Sequence, residues 1–227
     1  MTTRILEFDS FPYRLSGTVY GTLLNSNEAL AALGDAVVQP PYKAAPKAPI
    51  LYVKPRNTLA LNGDCVEVPA NTVALQVGAA LGLIVGRTSC RLSEAEALDY
   101  LAGYTVVTDF SVPHDSFYRP SVRFKALDGS CAIGPLVVPR DRIAQPDALG
   151  IRVYLDGVLA QTASTASMVR SAARLLADVT EFMTLAPGDV LMLGIPAGAP
   201  TAREGQTVAV EIDDIGRLDN MLVKGVA

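Results

Sequence analysis

The sequence predicts a β-rich α+β fold, and three observations carry that prediction. Short apolar runs bounded by glycine, proline, asparagine and aspartate recur along the whole chain, the pattern of strands joined by tight turns. Only two stretches of any length, residues 93–101 and 167–183, carry the caps and 3.6-residue apolar spacing of a helix. Strands and helices do not alternate regularly, which argues against a doubly wound parallel sheet.

Taken in order, residues 3–8 and 15–24 read as strands, and Ser26 or Asn27 is placed to cap a short helix over residues 28–33. Residues 39–49, QPPYKAAPKAP, hold four prolines in eleven positions. Proline removes a donor and fixes φ, so an extended connector is expected there. Residues 1–40 are accordingly read as an N-terminal flap and residues 41–227 as the main domain. Residues 50–53 form a strand, Asn62-Gly63-Asp64 a turn, and residues 66–68 and 72–85 two further strands, the second apolar enough to be covered on both faces. Ser93 with Glu96 three residues on is a capping box for a helix that should stop at Gly103. Strands follow over 104–108, 132–138, 151–155 and 158–161, with Asp156-Gly157 turning the last two into a hairpin. Thr165 is expected to cap the strongest helix, 167–183, where Met168, Ala172, Leu175, Leu176, Val179 and Phe182 share one face. Strands over 190–193, 207–212 and 218–223 complete the chain.

Half of the residues are apolar, the net charge is −4 and the isoelectric point is about 5.0, with no lysine- or arginine-rich run. A nucleic-acid partner, which needs a basic face, is not expected. No apolar run reaches the roughly 18 residues of a membrane span, and the N-terminus lacks a signal-peptide core, so a cytoplasmic location is expected. Cys65, Cys90 and Cys131 are odd in number and widely spaced, which fits free thiols better than a disulfide framework or zinc site.

Residues 102–129 concentrate the polar chemistry. They hold the sole histidine, His114, the acids Asp109, Asp115 and Asp128, the cations Arg119, Arg123 and Lys125, and the tyrosines Tyr104 and Tyr118. One reading is a solvated loop with incidental charges. The other is a site for a small anion, in which cations hold carboxylates while an acid or the histidine moves protons. Ser111, His114 and Asp115 lie on one loop without a nucleophile-elbow context and are not read as a hydrolytic triad.

Several stretches occur in an order that resembles the fumarylacetoacetate hydrolase family: Leu83-Ile84-Val85-Gly86-Arg87, SEAEALDYLAGYTVVTDFS, FYRPSVRFKALDG, DGVLAQTAST, EFMTLAPGDVLMLGIPAG and VEIDDIGRLDN. The resemblance covers residues 41–223. Within the family the likeness is to the first half of a two-halved member of 4-hydroxyphenylacetate catabolism, carried by Pro41-Tyr42-Lys43, Lys54-Pro55-Arg56-Asn57-Thr58 and Ser116-Phe117-Tyr118-Arg119-Pro120, and the chain has one half's length. The resemblance implies a rolled mixed β-sandwich with a few helices, a dimer, Mg²⁺ or Mn²⁺ as cofactor, and a 2-oxo acid as ligand. It further implies isomerisation of 2-hydroxyhepta-2,4-diene-1,7-dioate and decarboxylation of 5-oxopent-3-ene-1,2,5-tricarboxylate. A metal that chelates the 2-oxo carboxylate would stabilise the enolate left by CO₂ or a proton.

Against that pattern the chain has lost ligands. The two glutamates of the family's E-x-E strand fall on Gly78 and Ala80, leaving Asp109 as the only metal ligand. The family's N-terminal His/Glu pair falls on Ala29 and Ala32, and the threonine of its G-T-P turn is Ile195. What the resemblance retains is an anion-binding side, Tyr118, Arg119, Arg123, Lys125 and Gln161 for substrate, with Lys125 matching a lysine of the family's pocket. Apart from the resemblance, a metal-free reaction would use Lys125 for catalysis with His114 or Asp109 as the base. Three readings follow: a half that assists a catalytic paralogue in a heteromer, a metal-independent isomerase using Lys125, Asp109 and His114, or a dicarboxylate-binding or purely structural homodimer.

Overall fold

A computed structural model describes residues 6–7, 14–15, 17–114, 116–118 and 121–225. Its strands are β1 (Leu6–Glu7), β2 (Arg14–Leu15), β3 (Val19–Leu23), β4 (Ile50–Lys54), β5 (Leu59–Ala60), β6 (Cys65–Val68), β7 (Leu75–Val85), β8 (Leu101–Ser111), β9 (Cys131–Pro139), β10 (Gly150–Leu155), β11 (Val158–Ser164), β12 (Val190–Met192), β13 (Thr201–Ala202), β14 (Thr207–Ile212) and β15 (Gly216–Lys224). The α-helices are α1 (Asn27–Ala31), α2 (Glu94–Ala97), α3 (Val122–Lys125) and α4 (Ala172–Phe182). The β-rich α+β class expected from the sequence is what the chain adopts.

One sheet has the order β4-β3-β12-β7-β8-β9-β5, with β13 also on β7; a second has the order β11-β10-β14-β15-β6. Both mix parallel and antiparallel pairs. The larger sheet is rolled, and one contact proves it. Four strand spacings separate β4 from β8, about 19 Å across a flat sheet, yet the ammonium of Lys54 on β4 lies 2.8 Å from the carboxylate of Asp109 on β8. Alternation along each strand then sorts residues to the inside or outside of the roll. Val19, Ala80, Ile84, Val107, Ile133, Val190 and Met192 pack inside it. Their neighbours Val77, Leu81, Leu83, Val106 and Phe110 face out and meet the second sheet and α4 in the larger core. The interior is narrow, so β7 turns its small residues inward: a Cβ on Gly82 would stand 2.8 Å from Val107 Cγ2.

The boundaries differ from the sequence expectation in instructive places. The capping box of Ser93 and Glu96 is present, but α2 passes through a 3₁₀ turn at Leu98–Tyr100 and the chain is already strand at Leu101. The long helix begins at Ala172, capped by Ser171 through Arg174 N–H, rather than at 167 under Thr165. Asn25 is the reason. Its carbonyls accept from Val169 N–H (2.7 Å) and, by the side chain, from Arg170 N–H (3.0 Å), which holds residues 168–170 out of the helix. Thr165 Oγ1 instead accepts from Leu149 N–H. From there α4 follows its pattern, burying Ala172, Leu175, Leu176 and Val179 while Phe182 stays exposed. The proline-rich residues 39–49 lie in the connection between β3 and β4, which pair antiparallel. Among the described residues no helix is long and apolar enough to cross a membrane.

Candidate functional site

At one end of the roll a cleft of about 340 Å³ opens between the end of β3, α1, the start of β7, the loop after β8, and the turn at 195–199. Its polar wall is Thr22, Gln76, His114 and Lys125; Leu24, Phe117 and Ile195 are among its apolar walls. Ala29 on α1 and Ala32 just after it also line the cleft.

Beneath Lys125 sits a buried charge cluster. Asp109, wholly buried, receives Lys54 Nζ on Oδ1 at 2.8 Å, and on Oδ2 both Lys125 Nζ at 2.8 Å and the Tyr52 hydroxyl at 2.5 Å. Lys54 also donates to Ser130 Oγ at 2.9 Å, to the carbonyl of Lys125 and, at 3.5 Å, to the carbonyl of Ser130, so every one of its three N–H groups has an acceptor. Lys125 differs: Asp109 is its one hydrogen-bond acceptor among the described residues, its Nζ stands 4.5 Å from the centroid of the Tyr52 ring, and it borders the cleft. Two ammonium groups against one carboxylate leave a net charge of +1 at the cleft floor, with Lys125 the member a ligand can reach.

The ionisation of these groups follows from their contacts. Burial would raise the Asp109 carboxyl, but the charges of Lys125 and Lys54 outweigh it and hold it down to about 2. Burial, then the Asp109 charge, pushes the Tyr52 phenol well above 10. Burial likewise pushes the Cys131 thiol up to about 12. Asp109 is therefore placed as an anion shared by two cations, and a carboxyl held that low is a weak base.

His114 borders the cleft from the loop after β8. Its ring stacks on Phe124, centroids 5.0 Å apart and planes 13° apart, and Nδ1 lies 2.9 Å from the Val112 carbonyl. A carbonyl only accepts, so Nδ1 carries the proton and the neutral ring has its lone pair on Nε2. Nε2 is buried and without a partner among the described residues.

The other expected residues scatter. Tyr118 and Arg123 are exposed and do not border the cleft. Gln161 donates to the Ala197 carbonyl at 2.7 Å and braces the 195–199 turn from behind. Arg119 lies outside the described residues, as does Asp115. Lys54 and Tyr52, by contrast, are central and were not among the expected site residues. Alternation in Ile50–Lys54 puts both on one face, but nothing along the chain says that this face meets Asp109.

A divalent cation does not fit the residues present. Gly78 and Ala80 offer no ligand, and Ile195 has taken the space: a Cβ on Gly78 would stand 2.5 Å from Ile195 Cδ1. Among the described residues no three histidine, cysteine, aspartate or glutamate side chains converge to hold a metal. One carboxylate already shared by two ammonium groups cannot supply the several anionic oxygens that Mg²⁺ or Mn²⁺ requires.

A rolled mixed sheet with a cleft at one end of the roll defines the class. The chain belongs to the fumarylacetoacetate hydrolase family, whose model, described as fumarylacetoacetate (FAA) hydrolase C-terminal, matches residues 18–223. It is 37% identical over 209 residues to the 4-hydroxyphenylacetate degradation bifunctional isomerase/decarboxylase of Escherichia coli, covering 92% of this chain and 48% of the relative. It is 31% identical over 188 residues to the oxaloacetate tautomerase fahd2 of Xenopus laevis, covering 78% of this chain and 59% of that one. The 2-hydroxyhepta-2,4-diene-1,7-dioate isomerase of Mycobacterium marinum superposes with a TM-score of 0.78 at 26% identity over 94% of this chain and 77% of that one. The chain thus spans about half the length of the first of these relatives.

Proposed function

We propose that this chain is one half of an isomerase/decarboxylase of 4-hydroxyphenylacetate catabolism. Its substrates would be 2-hydroxyhepta-2,4-diene-1,7-dioate and 5-oxopent-3-ene-1,2,5-tricarboxylate. Its own cleft takes the 2-oxo or dioate anion on Lys125 without a divalent cation, and the metal-dependent step falls to a homologous half that pairs with it. The coverage of half of the Escherichia coli relative supports the pairing. The observation that carries the reading is the floor of the cleft: Lys125 is reachable and cationic, while the E-x-E positions are Gly78 and Ala80 with Ile195 packed over Gly78.

What the residues do follows from their positions. Lys125 supplies the charge for a carboxylate or enolate oxygen; Asp109 and Lys54 fix that ammonium from below; Gln76, which has no side-chain hydrogen bond among the described residues, offers an amide to a second polar group. The apolar walls exclude water and strengthen the attraction.

Calorimetric titration tests this. The isolated chain should bind oxalate in the presence of a chelator, and Lys125→Met should weaken binding about tenfold or more, as loss of a charge-assisted hydrogen bond does. Decarboxylation should appear only when a metal-bearing homologous half is added. Mn²⁺ binding tighter than millimolar by the isolated chain would overturn the reading.

A further inference from the structure

We propose that His114 is a proton-transfer residue that lets this half tautomerise a 2-oxo acid with no metal, a role nothing in the family's ligand pattern assigns to the loop it occupies. The inference rests on reading the cleft as a 2-oxo-acid site. Three observations converge on it. His114 borders the same cleft as Lys125, so a ligand held on the ammonium lies within the same space as the imidazole. Its Nδ1–H is committed to the Val112 carbonyl, which fixes the tautomer with the basic lone pair on Nε2. Nε2 is buried and has no partner among the described residues, a condition that a ligand carrying a mobile proton would relieve.

The loop is also tied to the lysine. The ring stacks on Phe124, Val112 N–H donates to the Phe124 carbonyl at 2.9 Å, and Lys125 is the next residue. One rigid unit therefore carries both the base and the cation, the pair that enolisation needs.

The step balances within the chain and its ligand. Nε2 takes a proton from the carbon next to the oxo group. The electrons of that C–H bond form the C=C bond, and the C=O π electrons move onto oxygen, where the Lys125 ammonium meets the negative charge. Returning the proton from the imidazolium to oxygen gives the enol, and to the far end of a conjugated system gives the shifted isomer. No oxidant, reductant or metal enters. Isomerisation then belongs to this half and decarboxylation, which needs a stronger electron sink, to its partner.

The test is exchange of the C3 hydrogens of pyruvate in D₂O with chelator present, followed by proton NMR, on the folded chain with oxalate affinity measured alongside. The wild-type chain should exchange faster than buffer. His114→Asn keeps a donor for the Val112 carbonyl but has no Nε2; it should lose about a hundredfold in exchange while binding oxalate within about threefold of wild type. Free imidazole should restore exchange to His114→Ala, which a merely structural role would not permit. Oxalate binding with no exchange above buffer, or equal exchange in His114→Asn, overturns this inference and leaves the proposed function standing. No oxalate binding at all overturns both.

Discussion

Lys54 and Asp109 stand four strands apart in the sheet and 2.8 Å apart in space, and both side chains are wholly buried. The pair therefore does two jobs: it ties the free edge of the roll to its middle, and it fixes the anion on which Lys125 rests. Removing one member leaves the other charged in a place that water does not reach. Lys54→Met should destabilise the chain by about 3 kcal/mol or more. The exposed pair Arg140–Asp99, 2.7 Å apart, is the control, and Arg140→Ala should change stability by less than about 1 kcal/mol. Urea unfolding of the two variants compares them; equal losses would mean that the buried pair does not brace the roll.

Acid should unlock the same cluster. The Asp109 carboxyl is held at about 2 against an ordinary value of 3.8. Since the folded value is the lower one, ionised Asp109 adds stability that is whole above about pH 4, amounts to about 2 kcal/mol, and is lost as the pH falls through about 2. Carbon-13 NMR of the carboxyl should show titration near that lower value. Titration at an ordinary aspartate value would show that Lys54 and Lys125 do not hold the anion.

Much of this fold is legible in the sequence, because strand alternation, turn residues and the Ser93–Glu96 box are local signals. The helix start at Ala172 is not, because Asn25, nearly 150 residues away in the chain, decides it. The site is legible in part. His114 and Lys125 come from one polar stretch and border one cleft, whereas Arg123 from the same stretch points to solvent. Composition shows that polar groups are dense but not which way a four-residue helix turns them. Lys54 and Tyr52 were hidden for the opposite reason: they reach Asp109 only because the sheet rolls, and no spacing along the chain encodes that closure.

Gly21 and Tyr52 offer the sharpest probe of the roll's interior. They are register partners on β3 and β4, and a Cβ on Gly21 would stand 2.0 Å from Tyr52 Cζ. The phenol ring thus lies across the glycine on its way to Asp109, and it also flanks Lys125. Tyr52→Phe keeps the ring and loses only the hydrogen bond to a charged acceptor, for about 2 kcal/mol. Gly21→Ala must expel the ring as well, so it should cost more, about 3 kcal/mol. In a Tyr52→Ala background the three atoms nearest that Cβ are gone, so the same Gly21→Ala change should cost under about 1 kcal/mol, a coupling that a double-mutant cycle measures directly. Additive losses would show that the ring does not depend on the glycine. Oxalate affinity should fall in Gly21→Ala more than in Tyr52→Phe, because only the alanine variant takes the aromatic face away from Lys125.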